Sequence, residues 1–354
     1  MSVDRYDPEL GLPDVADALL RRAASADARA ARRLLVAAAD LSAGDDERLD
    51  DEMRSTIAAM LSRLVDAIEA DLRHYAGRAV AAASIPSTRG SLAERLVRAG
   101  LLDDSELVAE LVARARSEII ANRIPADPLE VLDRPSLLAR LANDPDRVVA
   151  HAAAALMAAE ARRRGTGPDA GRDDLPAELH HRLVWWVAAA LRPAGAAGAI
   201  DAALVDAARR VLAAHDEGAR IEATAQRLAA ALDAVEGSIG AMIEEALADR
   251  RLALVVEFIA HHLGIEPGLS RDIVLDPDAD RLLLALRALN VPNEDMAAIG
   301  IALCEADRRR DPEALIASID AVTAMSVEAA RDALSSLRLP TAYREAARAL
   351  GQSR

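Results

Sequence analysis

The spacing of apolar residues near the start of the chain constrains the fold more than any other feature. Between positions 53 and 75, apolar side chains recur at steps of three and four with occasional neighbours: Met53, Ile57, Met60, Leu61, Leu64, Val65, Ile68, Leu72 and Tyr75. This spacing places them on one stripe of an α-helix, and such a stripe must pack on other helices. Segments with helical spacing, separated by Pro, Gly and Asp, continue to the C-terminus.

The composition supports helices throughout. Hydrophobic residues make up 52% of the 354 residues but aromatic residues only 2%, so the core must consist mainly of Ala, Leu, Val and Ile. Alanine and arginine rank high in helix propensity, whereas the β-branched and aromatic residues that favour strands are sparse. We therefore predict an all-α fold of stacked antiparallel helix pairs, arranged in one array or in two lobes.

Several helix starts are marked by capping residues. Ser91 is followed three residues later by Glu94, Asp103-Asp104-Ser105-Glu106 repeats this spacing with Asp as the cap, and Asp311 directly precedes Pro312. Ser and Asp side chains accept hydrogen bonds from the first free backbone N–H groups of a helix, and Pro is tolerated in its first turn. Short helices are predicted to begin at these three places.

One segment departs from the helical pattern and predicts a domain boundary. Residues 165–176 concentrate Gly, Pro and Asp and have no apolar periodicity, which is typical of an exposed loop or linker. We predict an N-terminal helical domain with HEAT-like pairs at 1–164, a linker at 165–176 and a C-terminal helical domain at 177–354. A shorter break at 192–198 is expected to join two packed helices.

Some segments resemble known helical repeats. Residues 141–156, with their Asp-Pro-Asp turn and Ala-rich helix, resemble one HEAT repeat unit. The chain also resembles the DUF2336 family of bacterial proteins in three places: residues 54–83, residues 101–107 with the helix that follows, and residues 258–290. The resemblance implies an array of helical pairs. It supplies neither a reaction nor catalytic residues.

The charge balance and the apolar runs limit the partners. Fifty-eight acidic residues against 43 basic ones give a net charge of −15, whereas nucleic-acid binding needs a basic surface. The longest apolar run, 183–191, is about half of the roughly 20 residues that span a bilayer. The first residues lack the basic and apolar regions of a secretory signal. We expect a cytoplasmic protein that binds no nucleic acid and has no membrane span.

Two pairs of neighbouring histidines are candidate metal ligands. Glu257 and His261 lie four residues apart, on one helix face, a spacing that can serve a metal. His262 points about 100° away on a helix, however, and no further ligand lies nearby in sequence. A histidine at the rim of the core, with a salt link to Glu257, is the favoured interpretation. The pair at 180 and 181 has no matching ligand either, so no metal and no cofactor is expected.

The other reactive groups give no catalytic pattern. Cys304, the only cysteine, borders an apolar helix face, which favours an inert thiol over a nucleophile. Acidic residues alternate with arginine in stretches such as 244–251, and we interpret these as solvated helix surfaces.

Trp185 and Trp186 are the strongest candidates for a binding site. Neighbouring residues on a helix point about 100° apart, so both rings are buried only if the helix is packed on two sides. A core helix is one interpretation, because most of the surrounding residues are apolar. The other is a surface for a protein partner or a second copy, since exposed tryptophans contribute strongly to interfaces.

These observations favour a binding function. The leading prediction is a non-enzymatic scaffold or adaptor that docks a protein partner, of unknown identity, on a groove or concave surface. A homodimer is an open alternative for the partner. A ligand-sensing regulatory domain is the second interpretation, and an enzyme whose site is assembled from distant helices is the third.

Overall fold

The computed structural model is all-α over the residues that it describes. These are 51–77, 91–125, 135–165, 174–193, 198–232, 239–277, 279–323, 325–340, 342–344, 346 and 350. The α-helices in chain order are α1 Asp51–Ala76, α2 Leu92–Arg98, α3 Ser105–Arg123, α4 Leu137–Leu141, α5 Arg147–Arg164, α6 Ala177–Ala190, α7 Gly198–Ala214, α8 Ile221–Leu232, α9 Ile239–Ala248, α10 Leu252–Leu263, α11 Pro267–Leu275, α12 Asp280–Ala288, α13 Asn293–Ala306, α14 Pro312–Thr323 and α15 Val327–Ala333. Short 3-10 turns lie at Leu101–Asp103, Glu217–Ala219 and Ser335–Arg338.

The predicted helix starts are confirmed. The Ser91 hydroxyl accepts the Glu94 backbone N–H at 3.2 Å and begins α2. The Asp104 carboxylate accepts two backbone N–H groups at the start of α3. Before α14, the Asp311 carboxylate accepts one backbone N–H, that of Glu313, at 2.9 Å. Each carboxylate or hydroxyl satisfies a backbone donor that the first turn of a helix leaves free.

Helices α5, α8 and α10 form the centre of the packing. α8 lies between the other two and contacts both of them, and α10 also packs on α9 and α11. Several consecutive helices pair, such as α4 with α5 and α6 with α7, while α9 with α13 and α12 with α15 pair over longer distances in sequence. Phe258, the single Phe, is fully buried on α10 among Leu, Val, Ile and Ala side chains. The prediction of an aliphatic helical core is confirmed.

The buried core continues across the segment that the sequence marks as a linker. Side chains of α5, such as Val149 and Leu156, belong to the same core cluster as those of α8 and α10. Residues 166–173 of the predicted linker, and residues 1–50 of the predicted first domain, lie outside the described residues. The division into 1–164 and 177–354 stays a prediction about which parts fold alone.

Within the described part of the chain, no helix is long and apolar enough to cross a membrane.

Candidate functional site

The tryptophan pair lies on α6 with the two rings in different environments. Leu183, Val184 and Val187 are buried on the inner faces of this helix, which packs on α2 and α7. Trp185 is half-buried, and its indole N–H donates to Nε2 of His181 at 3.2 Å. Trp186 is 38% exposed. Although the helix packs on two neighbours, one of the two rings is left accessible.

Trp186 lies between two contacts that join α6 to residues 95–104. The residue one turn before it, Arg182, pairs with Asp104 at 2.8 Å, and the carbonyl one turn after it accepts a hydrogen bond from Arg95 at 3.1 Å. Residues 95–104 therefore run beside this stripe of α6. Val97 and Leu102 in that segment are also exposed, at 38% and 37%. The assignment of Trp185 and Trp186 to partner binding stays a prediction.

The histidine and cysteine candidates do not assemble into a catalytic or metal centre in the part of the chain that is described, where no group of three His, Cys, Asp or Glu is placed to hold a metal ion. His180 is buried and stacks on His215 with ring centroids 4.1 Å apart. Burial, together with the neighbouring His215 and His181, lowers the pKa of His180 to about 3. Burial also raises the pKa of the half-buried Cys304 thiol, which disfavours the reactive thiolate.

A cavity between the central helices is lined by many charged side chains. It encloses about 600 Å³ and is bounded by α1, α3, α5, α8, α10, α11 and the turn between α9 and α10. Its lining contains aliphatic side chains, seven arginines and five carboxylates. The charged residues are Arg63, Arg114, Arg163, Arg164, Arg250, Arg251, Arg271, Glu118, Glu160, Glu222, Asp249 and Glu257.

The turn between α9 and α10 contributes three of these charged residues, Asp249, Arg250 and Arg251. Arg250 has a φ of +60°, a conformation that side-chain-bearing residues adopt rarely and that reverses the chain direction here. Its guanidinium donates from Nε to the Ile124 carbonyl at 3.1 Å, at the end of α3. The preceding Asp249 accepts the Leu137 backbone N–H at 2.5 Å, at the start of α4. These contacts fix the turn against two other helices.

The sequence-based interpretation of 244–251 as a solvated surface is wrong for this turn. The side chains of Asp249 and Arg251 are only 16% and 12% exposed. Arg251 forms an ion pair with Glu160 on α5, whose side chain is 14% exposed. The alternating charges were visible in the sequence, but their partners lie between 91 and 126 residues away and could not be assigned from it.

An ion-pair network crosses the floor of the site from α3 to α8 and α11. Arg114 lies at its centre, with Nε 2.7 Å from Glu110 and Nη2 3.0 Å from Glu222. The second oxygen of Glu110 accepts Arg271 at 2.9 Å. Arg220 approaches the other oxygen of Glu222 at 3.4 Å. Arg114 and Glu110 are 5% and 8% exposed, so this network is buried.

The network determines the charges of its members. Burial alone raises the pKa of Glu110, but Arg114 and Arg271 outweigh it and lower that pKa to about 2. Burial opposes the charge of Arg114, yet Glu222 and Glu110 raise its pKa above the ordinary value. The pKa of Glu222 is lowered by Arg114 and Arg220 against the effect of its burial. All three side chains are thus ionised at neutral pH.

Glu257 lines the same cavity from α10 but is not part of this network. It is 2% exposed, and its Oε2 atom has no hydrogen-bond partner among the described residues. Burial, with a further contribution from the negative charge of Glu222, raises its pKa to about 7, against a smaller opposing effect of Arg220. A buried carboxyl of this kind is costly to the folded state unless it is protonated or paired, and such groups concentrate at functional sites.

Two arginines of the wall also have spare hydrogen-bonding capacity. Arg251 and Arg271 use Nη atoms for Glu160 and Glu110, but the Nε atom of each is buried without a hydrogen-bond partner within the described chain. These Nε atoms and Oε2 of Glu257 have almost no accessible surface, so they lie behind the cavity surface, and Nε of Arg251 is 3.8 Å from Asp249. Sequence reasoning named Glu257, as a partner of His261, but missed the seven arginines of the lining, because four separate helices and a turn contribute them.

Comparison with known proteins identifies a family and nothing more specific. The family model described as "Uncharacterised protein conserved in bacteria (DUF2336)" matches residues 96–335, which is more than half of the chain. This match confirms the resemblance proposed from the sequence. No curated protein and no solved structure matches the chain.

Proposed function

The chain belongs to the DUF2336 family of bacterial proteins, and we propose that it is a non-enzymatic, ligand-sensing module that binds a small anionic molecule in its interhelical cavity. The observation that carries this proposal is the convergence of seven arginines on one cavity of about 600 Å³. That volume is typical of small-molecule sites. In a chain of net charge −15, a local excess of arginine favours an anion.

The position of the cavity suits it to sensing. Its walls come from helices that are distant in sequence, among them α3, α5, α8, α10 and α11. A ligand that pairs with side chains of several helices stabilises their arrangement in proportion to its affinity.

Thermal unfolding of the full chain with a panel of small anions tests this function. A ligand at 100 times its Kd adds about 2.7 kcal/mol, which corresponds to a rise of several degrees in Tm. Ala253, on the cavity wall, is replaced by Phe to fill the cavity, and Ala298, exposed on α13, is replaced by Phe as the matched control. The rise in Tm should disappear with Ala253→Phe and persist with Ala298→Phe. Equal rises in both variants, or no rise with any anion, would refute the proposal.

A second candidate function, docking of a protein partner by a cytoplasmic scaffold, is favoured by the exposure of Trp186. An indole that is 38% exposed is a typical anchor for an interface. A second copy of the chain is one possible occupant of this surface.

The replacement Trp186→Ala separates docking from folding. We expect the free energy of unfolding to change by less than about 1 kcal/mol, because the ring is accessible, while a stoichiometric partner is lost in cross-linking or the mass falls in light scattering. Val148→Ala removes a side chain that is 67% exposed on α5 and is the control. Unchanged association with both variants would place any interface elsewhere.

A further inference from the structure

Two arginines of the cavity lining hold their carboxylate partners more loosely than the others do. Nη2 of Arg63 on α1 lies 3.8 Å from Oε2 of Glu118, and Nη2 of Arg163 on α5 lies 3.5 Å from the same oxygen. Nε of Arg163 is also 3.9 Å from Asp174. These distances are longer than charge-assisted hydrogen bonds.

The remaining arginines of the lining are engaged more closely. Each of the five others donates a hydrogen bond of 3.1 Å or less to a carboxylate or a backbone carbonyl. Within the described residues, the structure gives Arg63 and Arg163 only the longer ion-pair contacts. Their guanidinium groups therefore have N–H donors to spare.

A ligand that enters from solvent can reach these two side chains. Arg63 is 55% exposed at its side chain and Arg163 26%, whereas that of Arg114 in the buried network is 6% exposed. Both belong to the cavity lining. They come from different helices, α1 and α5, so one ligand between them would contact both helices.

Glu118 on α3 occupies the position between the two guanidinium groups. Its carboxylate and that of Asp174 oppose the two positive charges, so an incoming anion finds no excess charge here and must displace Glu118. The Glu118 side chain is 33% exposed, and its two ion pairs are long. Ion pairs of this kind contribute little to stability, and their displacement therefore costs little.

A phosphate group suits this displacement better than a carboxylate does. A phosphate monoester carries a charge of about −1.5 to −2 at pH 7, whereas a ligand carboxylate would only replace one single charge by another. Phosphate oxygens also point in several directions. A phosphorus atom at the present position of Oε2 of Glu118 would bring separate oxygens close to Nη2 of Arg63 and Nη2 of Arg163.

We infer that a phosphate group binds between Arg63 and Arg163 and displaces Glu118, which holds the two arginines in the ligand-free protein. This inference rests on the proposed ligand-binding function and names the ligand class and the contact residues for it. Hydrogen bonds from both arginines to one phosphate would tie α1 to α5 more firmly than the long contacts of Glu118 do, which gives the ligand a structural effect.

Isothermal titration calorimetry of the full chain at pH 7 tests the ligand class. Inorganic phosphate and glycerol 3-phosphate are the probes, and acetate is the monocarboxylate for comparison. We expect at least one phosphate probe to bind at least about tenfold more tightly than acetate. Tighter binding of glycerol 3-phosphate supports a phosphate carried on an organic molecule, and tighter binding of inorganic phosphate supports the free ion. Equal affinities for acetate and both phosphates overturn the inference.

Glu118→Gln tests the displacement. The variant keeps the shape of the side chain and removes the competing charge, so it should bind phosphate about tenfold more tightly than the wild type. A misfolded variant cannot produce such a gain. Glu178→Gln, exposed on α6 outside the cavity lining, should keep the wild-type affinity. An unchanged affinity in Glu118→Gln, or an equal gain in Glu178→Gln, contradicts a competition between Glu118 and the ligand.

Arg63→Gln and Arg163→Gln locate the contact. Each should weaken phosphate binding by at least about tenfold, whereas Arg54→Gln, exposed on α1, should not. Wild-type affinity in either Arg63→Gln or Arg163→Gln overturns the assignment and leaves the proposed function standing. If no phosphate probe binds but citrate raises Tm in a manner lost with Ala253→Phe, the ligand class is wrong and the proposed function stands. If no anion behaves in this way, both are wrong.

Discussion

The replacement Glu257→Gln should make the ligand-free protein more stable at high pH. The carboxyl is 2% exposed with one oxygen unpaired, and its pKa rises from 4.5 to about 7 on folding. Each tenfold change in an acid dissociation constant is about 1.4 kcal/mol, so ionised Glu257 costs the folded state about 3 kcal/mol. Glutamine has nearly the same shape and carries no such cost.

The sign of the pH dependence follows from the two pKa values. Below pH 4.5 the carboxyl is protonated in both the folded and the unfolded chain, and the cost is absent. As the pH rises from 4.5 to 7 the unfolded chain loses this proton first, so Glu257 removes stability progressively. Above pH 7 the loss is complete. The stability advantage of Glu257→Gln should therefore grow by about 3 kcal/mol between pH 4.5 and pH 8.

Urea unfolding followed by circular dichroism measures this difference. Both proteins are refolded from denaturant and dialysed before the measurement, so that any bound ligand is removed. The comparison is made at pH 5, 6, 7 and 8, with Glu178→Gln, an exposed carboxyl on α6, as the control for loss of one negative charge. If the difference between wild type and Glu257→Gln is the same at pH 5 and pH 8, Glu257 has a partner in the folded state and the reasoning about the cavity fails.

Three further predictions address the network, the packing and the domain division. Glu110→Gln should destabilise the chain at neutral pH by about 3 kcal/mol in urea unfolding, because it leaves the buried Arg114 and the half-buried Arg271 each with one partner fewer; a change below 1 kcal/mol would contradict the network. Gly300→Ala should cost about 1–3 kcal/mol in the same assay, because its Cβ would lie 2.8 Å from the buried Leu315 side chain; a gain in stability would show that Leu315 moves aside. Trypsin should cut first at an arginine within or beside 165–176, as gel analysis of the timed digest would show, and protection of that segment would exclude a linker.

Local properties of the fold were predictable from the sequence because they depend on neighbours in the chain. The spacing from Met53 to Tyr75 predicted α1, which extends over Asp51–Ala76. Ser91 and Asp311 marked helix starts correctly because a cap acts within three residues. The near absence of aromatic residues predicted an aliphatic core, and it is confirmed.

The candidate site was not predictable in the same way because its contacts join distant parts of the chain. Arg114 reaches Glu222 across 108 positions of the sequence, and Arg251 reaches Glu160 across 91. Side chains such as Arg251 have the same local pattern as solvated charges, and only burial distinguishes them. Glu257 gave one signal, a carboxylate in the strongly apolar run of α10. From the sequence, this carboxylate was expected to form a salt link with His261, whereas in the structure it belongs to the cavity lining.

Native mass spectrometry of the full chain, purified gently from its source cell, tests the central claim most directly. The account predicts that part of the protein retains one small anionic molecule, that Ala253→Phe loses it, and that Ala298→Phe retains it. A chain that carries no small molecule, and takes up none from an excess of L-glutamate, L-aspartate, citrate or phosphate, would contradict a ligand-binding role for the cavity.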